Sequence, residues 1–159
     1  MKRIITVFLA LLLLCGCSAK NYTPVIKADF NLSAVYKTGD FSYSCNIIKK
    51  DGCVFVIPSS TRAKGLIISC NGREVSFKRK DFIKKYPIEE IDKTNPAVIL
   101  YQVFTSIENA KVNLADDEFR YTGNSSIGKY ILVQRKDNSF SSLTFPQADI
   151  SVHFNKSAE

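Results

Sequence analysis

The sequence predicts a mainly β protein (α+β), a curved antiparallel sheet covered by one or two helices. Apolar and polar residues alternate along several short runs, tight-turn pairs punctuate those runs, and one segment carries the wide apolar stripe of a buried helix. A first strand over residues 27–36 is joined by Thr38-Gly39 to a run in which Phe41, Tyr43, Cys45 and Ile47 share a face, with Ser42, Ser44 and Asn46 behind. Asp51-Gly52 returns the chain so that Val54 and Val56 fall on the apolar face. At Asn71-Gly72 a two-residue turn sets Ile68 opposite Val75 and Leu66 opposite Phe77, with Ser69–Glu74 and Ile67–Ser76 pointing the other way. At Asp137-Asn138 it sets Leu132 opposite Leu143 and Tyr130 opposite Phe145, with Val133–Ser142 and Arg135–Phe140 on the second face. Phe119 and Tyr121, then Ile150, Val152 and Phe154, supply two more one-sided strands.

A sheet with one apolar face must be covered. Asn95-Pro96 places a capping residue before proline at the first helical position, and residues 97–107 follow with apolar side chains at 97, 100, 101 and 104 and at 99, 103 and 107. That stripe suits a helix lying in the hollow of the sheet. Residues 81–91 are expected to hold a further short helical turn, interrupted at Pro87.

The N-terminus carries a different signal. Lys2 and Arg3 precede an apolar run over residues 4–14, which ends in Leu14-Cys15-Gly16-Cys17. This resembles a bacterial lipoprotein signal with its lipobox. The run is too short to persist as a spanning helix, which fits a removed signal. The resemblance implies a signal peptide over 1–16, a diacylglyceryl group (palmitate-type chains) on Cys17, a short tether over 17–26, and one domain over 27–159. Cys15 is not the acceptor, because Leu14 rather than a small residue precedes it. Two acyl chains, at about 0.8 kcal/mol per buried methylene, hold a protein on a membrane durably.

Removing residues 1–16 leaves about 143 residues, the size of one ordinary domain. Without Lys2 and Arg3 the 22 basic residues fall to 20 against 15 acidic ones, leaving a charge of about +5. Such a surface suits an anionic leaflet or acidic wall polymer. No basic helix, zinc finger or RNA-binding aromatic motif points to nucleic acid. The expected location is the extracytoplasmic face of a membrane, with the Lys-, Ile- and Asn-rich composition leaning toward the outer face of the plasma membrane of a one-membrane bacterium.

The order Phe30 to Tyr36, Gly39, Tyr43, a hairpin to Ile57-Pro58, Gly65-Leu66-Ile67-Ile68, Asn71-Gly72, an apolar helix and a Gly128-Lys129-Tyr130 hairpin resembles small bacterial lipoproteins with the lipoprotein-carrier fold of LolA and LolB. The resemblance implies an incomplete antiparallel barrel closed by helices. The chain departs from those carriers in having no Trp and one clear lid helix. On this architecture a hydrophobic ligand, a lipid or a lipidated protein, would lie among Phe41, Tyr43, Val56, Leu66, Ile68, Phe77, Tyr121 and Tyr130, under Leu100, Val103 and Phe104. The alternative is that these side chains are simply the core, and that the protein is an envelope interaction or scaffold lipoprotein.

Cysteines 45, 53 and 70 remain after processing, an odd number. In a simple meander Cys45 and Cys53 face opposite sides, while Cys45 and Cys70 have a strand between them, about 9–10 Å, so free thiols are expected. Without a CxxC pair, and with His153 alternating away from Val152 and Phe154, no metal site or cofactor is expected. No nucleophile elbow, phosphate loop or paired-carboxylate motif is present, so no enzymatic activity is expected. Asp116-Asp117-Glu118 reads as an acidic turn. The densest basic segment holds Lys78, Arg79, Lys80, Lys84 and Lys85 around Phe82 and Ile83, a candidate contact for anionic surfaces or a solvated edge loop. A monomer is expected.

Overall fold

A computed structural model describes residues 24–155. The expected signal, the lipid acceptor Cys17 and most of the tether lie outside these residues. Within them, eleven strands form one antiparallel sheet: β1 (Phe30–Thr38), β2 (Phe41–Lys50), β3 (Cys53–Pro58), β4 (Leu66–Cys70), β5 (Glu74–Arg79), β6 (Phe82–Pro87), β7 (Lys111–Ala115), β8 (Glu118–Ser125), β9 (Gly128–Arg135), β10 (Phe140–Phe145) and β11 (Ile150–Phe154). Between β6 and β7 run a 3-10 turn (Ile88–Glu90), the helix α1 (Pro96–Ser106) and a second 3-10 turn (Ile107–Asn109).

The spatial order is β6-β5-β4-β3-β2-β1-β11-β10-β9-β8-β7. Two meanders therefore meet at one seam, β1 against β11, where Ala34 faces Phe154 and Thr38 faces Ile150. The sheet ends in free edges at β6 and β7 and does not close. It curls around α1, which packs on β3 and β4 of one arm and on β8 of the other. This is the expected mainly β architecture, with a single α-helix among the described residues.

Helix α1 starts where its capping signal places it. Asn95 accepts from the Ala97 amide at 3.0 Å, and Pro96 occupies the first turn, where its missing N–H costs nothing. Ala97, Val98, Ile99, Leu100, Val103 and Phe104 are all buried. The stripe is broad because the sheet wraps the helix rather than meeting it on one side.

The hairpins correct several registers. At the β4–β5 turn Ile68 faces Phe77, Leu66 faces Arg79, Ser69 faces Ser76 and Ile67 faces Lys78, two residues away from the expected pairing. The central turn residues are Gly72 and Arg73, not Asn71 and Gly72. Gly72 takes φ +87°, and Asn71 stays paired, its amide donating to the Glu74 carbonyl at 3.3 Å. The Asn71 side chain caps the turn by accepting from the Arg73 and Glu74 amides, each at 2.9 Å. A shift of two preserves the faces, so Leu66, Ile68 and Phe77 remain on the concave side. In β9–β10 the pairs Leu132–Leu143 and Val133–Ser142 hold, but an irregularity between Phe140 and Ser142 pairs Phe140 with Gln134 instead of Arg135. Phe140 thereby turns inward, with its ring 5.6–5.7 Å from those of Phe30, Phe104 and Phe154.

Two segments differ from expectation in kind. The stretch expected to hold a helical turn broken at Pro87 is mostly strand β6, and the single 3-10 turn begins after that proline. Lys111–Ala115, which no turn or burial signal in the sequence marks as a strand, forms edge strand β7 with exposed Val112 and Leu114. The acidic turn is present between β7 and β8, with Asp116 and Asp117 both at positive φ.

Candidate functional site

Of the eleven residues named as a ligand pocket, seven are buried in the core under the helix and four are not. Val56, Leu100, Val103 and Tyr130 have no exposed surface, and Ile68, Phe104 and Tyr121 are buried. Tyr43, Leu66 and Phe77 are half-buried, while Phe41 is 56% exposed at the start of β2, away from the helix. Aromatic contacts tie the centre together, with Phe30 and Phe104 edge to face at 4.8 Å.

Polar atoms in this core are matched with one exception. The Tyr121 hydroxyl donates to Gln134 Oε1 at 2.6 Å, and Gln134 Nε2 donates to the carbonyls of Val25 at 2.9 Å and Asn138 at 3.0 Å. One buried amide thus ties β8, the β9–β10 turn and the first described residues of the chain. Ser106 Oγ and the Tyr130 hydroxyl lie 3.2 Å apart. The Tyr36 hydroxyl has no hydrogen-bond partner among the described residues, although Tyr36 is only 2% exposed. Its ring stacks at a tilt on Tyr43, 5.4 Å away, and burial pushes both phenols far above their ordinary range, with Cys45 adding to the effect.

A groove of about 640 Å³ opens beside the start of β1, lined by Lys27, Phe30, Leu32, Gln134, Asn138 and Phe140 among others. No residue of α1 lines it. Sequence reasoning missed Gln134. It is the polar residue in an inward-facing series with Tyr130 and Leu132, and that break in the alternation was the available signal.

The basic segment is neither loop nor helix but the β5–β6 hairpin. Lys78, Arg79, Lys80, Lys84 and Lys85 are exposed, and Lys85 is bridged to Glu74 at 2.7 Å. Phe82 pairs with Arg79 and Ile83 with Lys78, so the two apolar residues lie on opposite faces of an edge strand, 61% and 52% exposed.

Cys45, Cys53 and Cys70 are free thiols. Cys53 stands opposite Lys50 and is half-buried, while Cys45 and Cys70 are buried on strands separated by β3. Burial pushes the Cys45 thiol up to about 11 and raises Cys70 as well, which suits inert packing rather than a reactive nucleophile. His153 is exposed. Among the described residues no cluster of three His, Cys, Asp or Glu side chains could hold a metal, and no helix is long and apolar enough to cross a membrane.

No family profile matches the chain, and no characterised protein matches it in sequence. Several solved structures are similar in chain path, two of which follow. One is a LolA superfamily protein from Nitrosomonas europaea, at 10% identity and a TM-score of 0.40, covering 80% of this chain and 83% of its own. The other is the structure of the CwlD amidase from Clostridioides difficile in complex with the GerS lipoprotein, at 13% identity and a TM-score of 0.46, covering 100% of this chain and 95% of the matched one. Both are likenesses of path alone.

Proposed function

We propose that this chain is a non-catalytic envelope lipoprotein, anchored through a diacylglyceryl group on Cys17 at the outer face of a membrane, whose half-barrel serves as an interaction module. The observation that carries the reading is the filled hollow. The face of α1 turned to the sheet is buried through Ile99, Leu100 and Val103, each without exposed surface. A protein packed this way works through its exterior, and both edge strands carry exposed apolar side chains: Phe82 and Ile83 on β6, Val112 and Leu114 on β7.

A second reading, a hydrophobic ligand with a polar head held in the concavity, draws support from the unpartnered Tyr36 hydroxyl beside half-buried Tyr43. Photo-crosslinking in the native envelope separates the two. A photoreactive residue at Leu114 should capture protein and one at Val103 should capture nothing foreign. Lipid adducts from Val103 would replace the interaction reading with the ligand reading. In the same cells Cys17→Ala should move the protein out of the membrane fraction, and full retention would end the anchoring part of the proposal.

A further inference from the structure

The β5–β6 hairpin has a composition that an ordinary sheet edge does not need. Its tip is the two-residue turn Lys80-Asp81, between the paired residues Arg79 and Phe82. The loop between β3 and β4 runs along the same end of the sheet, because Leu66, where β4 begins, pairs with Arg79. Arg62, Lys64, Lys78, Arg79, Lys80 and Lys84 are therefore gathered at one corner, all exposed, against the single acidic residue Asp81. Glu74, the other carboxylate of β5, stands at the far end of the strand beside Lys85.

Backbone conformation singles out the same corner. Seven described non-glycine residues have positive φ. Five are Asp or Asn, the types that tolerate it; the other two are Thr61 at +77° and Lys80 at +53°, one in each of these loops. At the apex of a tight hairpin turn, where Asn or Gly is favoured, the chain places a lysine.

We infer that this hairpin tip docks on an anionic phospholipid bilayer, with Phe82 and Ile83 entering the headgroup boundary and the six cations meeting lipid phosphates. Each basic side chain near such a surface contributes about fivefold to binding, and the exposed Phe82 and Ile83 among them add apolar surface that the headgroup boundary can bury. The inference rests on the membrane reading above and adds an orientation to it. The registers from Phe30–Lys49 through Lys49–Val54, Val54–Cys70 and Cys70–Val75 align the starts of β1 and β5, so the tip lies at the end of the sheet opposite residues 24 and 25.

The chain contains no Trp, so Phe82→Trp in the full chain gives a single reporter. The protein is added to vesicles of phosphatidylcholine with and without phosphatidylglycerol, and flotation is read beside Trp emission and quenching by brominated acyl chains. Docking predicts a blue shift and quenching only with the anionic lipid, loss of both in a Lys80→Gln, Lys84→Gln background, and no response from a Leu114→Trp reporter on β7. Vesicle-bound protein whose reporter at position 82 stays in water overturns the docking and leaves the membrane reading standing. Equal quenching of the β6 and β7 reporters, or quenching in neutral vesicles, overturns it as well. A shift with inorganic polyphosphate but none with vesicles assigns the corner to a soluble polyanion. Failure to float at all removes both readings.

Discussion

Gln134→Met is the sharpest test of how the open end of the half-barrel is held. Gln134 is 1% exposed and makes three hydrogen bonds: one from the Tyr121 hydroxyl and two to the carbonyls of Val25 and Asn138. Methionine keeps the length and removes every polar atom. The two carbonyls belong to an exposed and a half-buried residue and can be rehydrated, so their bonds are worth about 0.5–1.5 kcal/mol each. The Tyr121 hydroxyl, in a residue 1% exposed, is stranded, at about 1–3 kcal/mol. Together, less what the apolar side chain recovers, the loss comes to about 2–4 kcal/mol. With a urea slope of about 1–3 kcal/mol per molar, the unfolding midpoint followed by circular dichroism should fall by about 1–2 M at unchanged slope. Adding Tyr121→Phe removes the stranded group, so the double variant should be more stable than Gln134→Met alone. A single variant within about 0.5 kcal/mol of the parent, or a double variant destabilised by the full sum of both changes, would refute the assignment of Gln134 as the tie.

Two further expectations follow from the same structure. Gly72→Ala should cost about 1–2 kcal/mol for the positive φ alone, and more because the added Cβ would stand 2.3 Å from the Tyr101 hydroxyl; Asn95→Ala, at about 1 kcal/mol, is the milder comparison in the same melts. Stability should fall as pH rises. Burial lifts the Cys45 thiol from 9.0 to about 11, so the folded state keeps a proton that the unfolded chain releases, and stability present below pH 9 is lost progressively between 9 and 11. Tyr36 and Tyr43 shift in the same direction and extend the loss to higher pH, whereas Cys45→Ala should flatten the slope between 9 and 11 when ΔG is measured by urea titration at each pH.

The sequence carried the faces of the strands better than their partners. Alternation placed Ile47, Val54, Val56 and Ile68 on the buried side, and the pair Asn95-Pro96 located the helix start, because these signals are local. The register at Asn71-Gly72 slipped by two because the tight turn is chosen by which residue can take positive φ first, and Asn71 proved more useful as a side-chain cap. The inward turn of Phe140 depends on a bulge that no periodicity announces. Strand β7 is short and exposed, so Val112 and Leu114 alternate without the burial that gives alternation its meaning. For the site, spacing named most residues of the concavity, but whether a hollow is filled depends on how closely a helix seats, and that is a property of packing rather than pattern. Gln134 and Tyr36 needed the three-dimensional arrangement, since each is defined by the partners it has or lacks.

The seam between β1 and β11 gives this domain a particular order of assembly. The run from β1 to β6 and the run from β7 to β11 can each zip by neighbouring hairpins, but their backbones join into one sheet only where residues 150–154 pair with residues 34–38, with α1 packed across both arms. A chain threaded out N-terminus first would hold half a sheet with its apolar face open until that last strand docks. Because this pairing closes the longest loop in the sheet, it is expected to be its slowest to form, and destabilising β11 should slow refolding measured by stopped-flow circular dichroism. Cutting away β11 would leave two exposed edges in the middle of the molecule rather than a frayed end. The final strand is the clasp that turns two meanders into one protein.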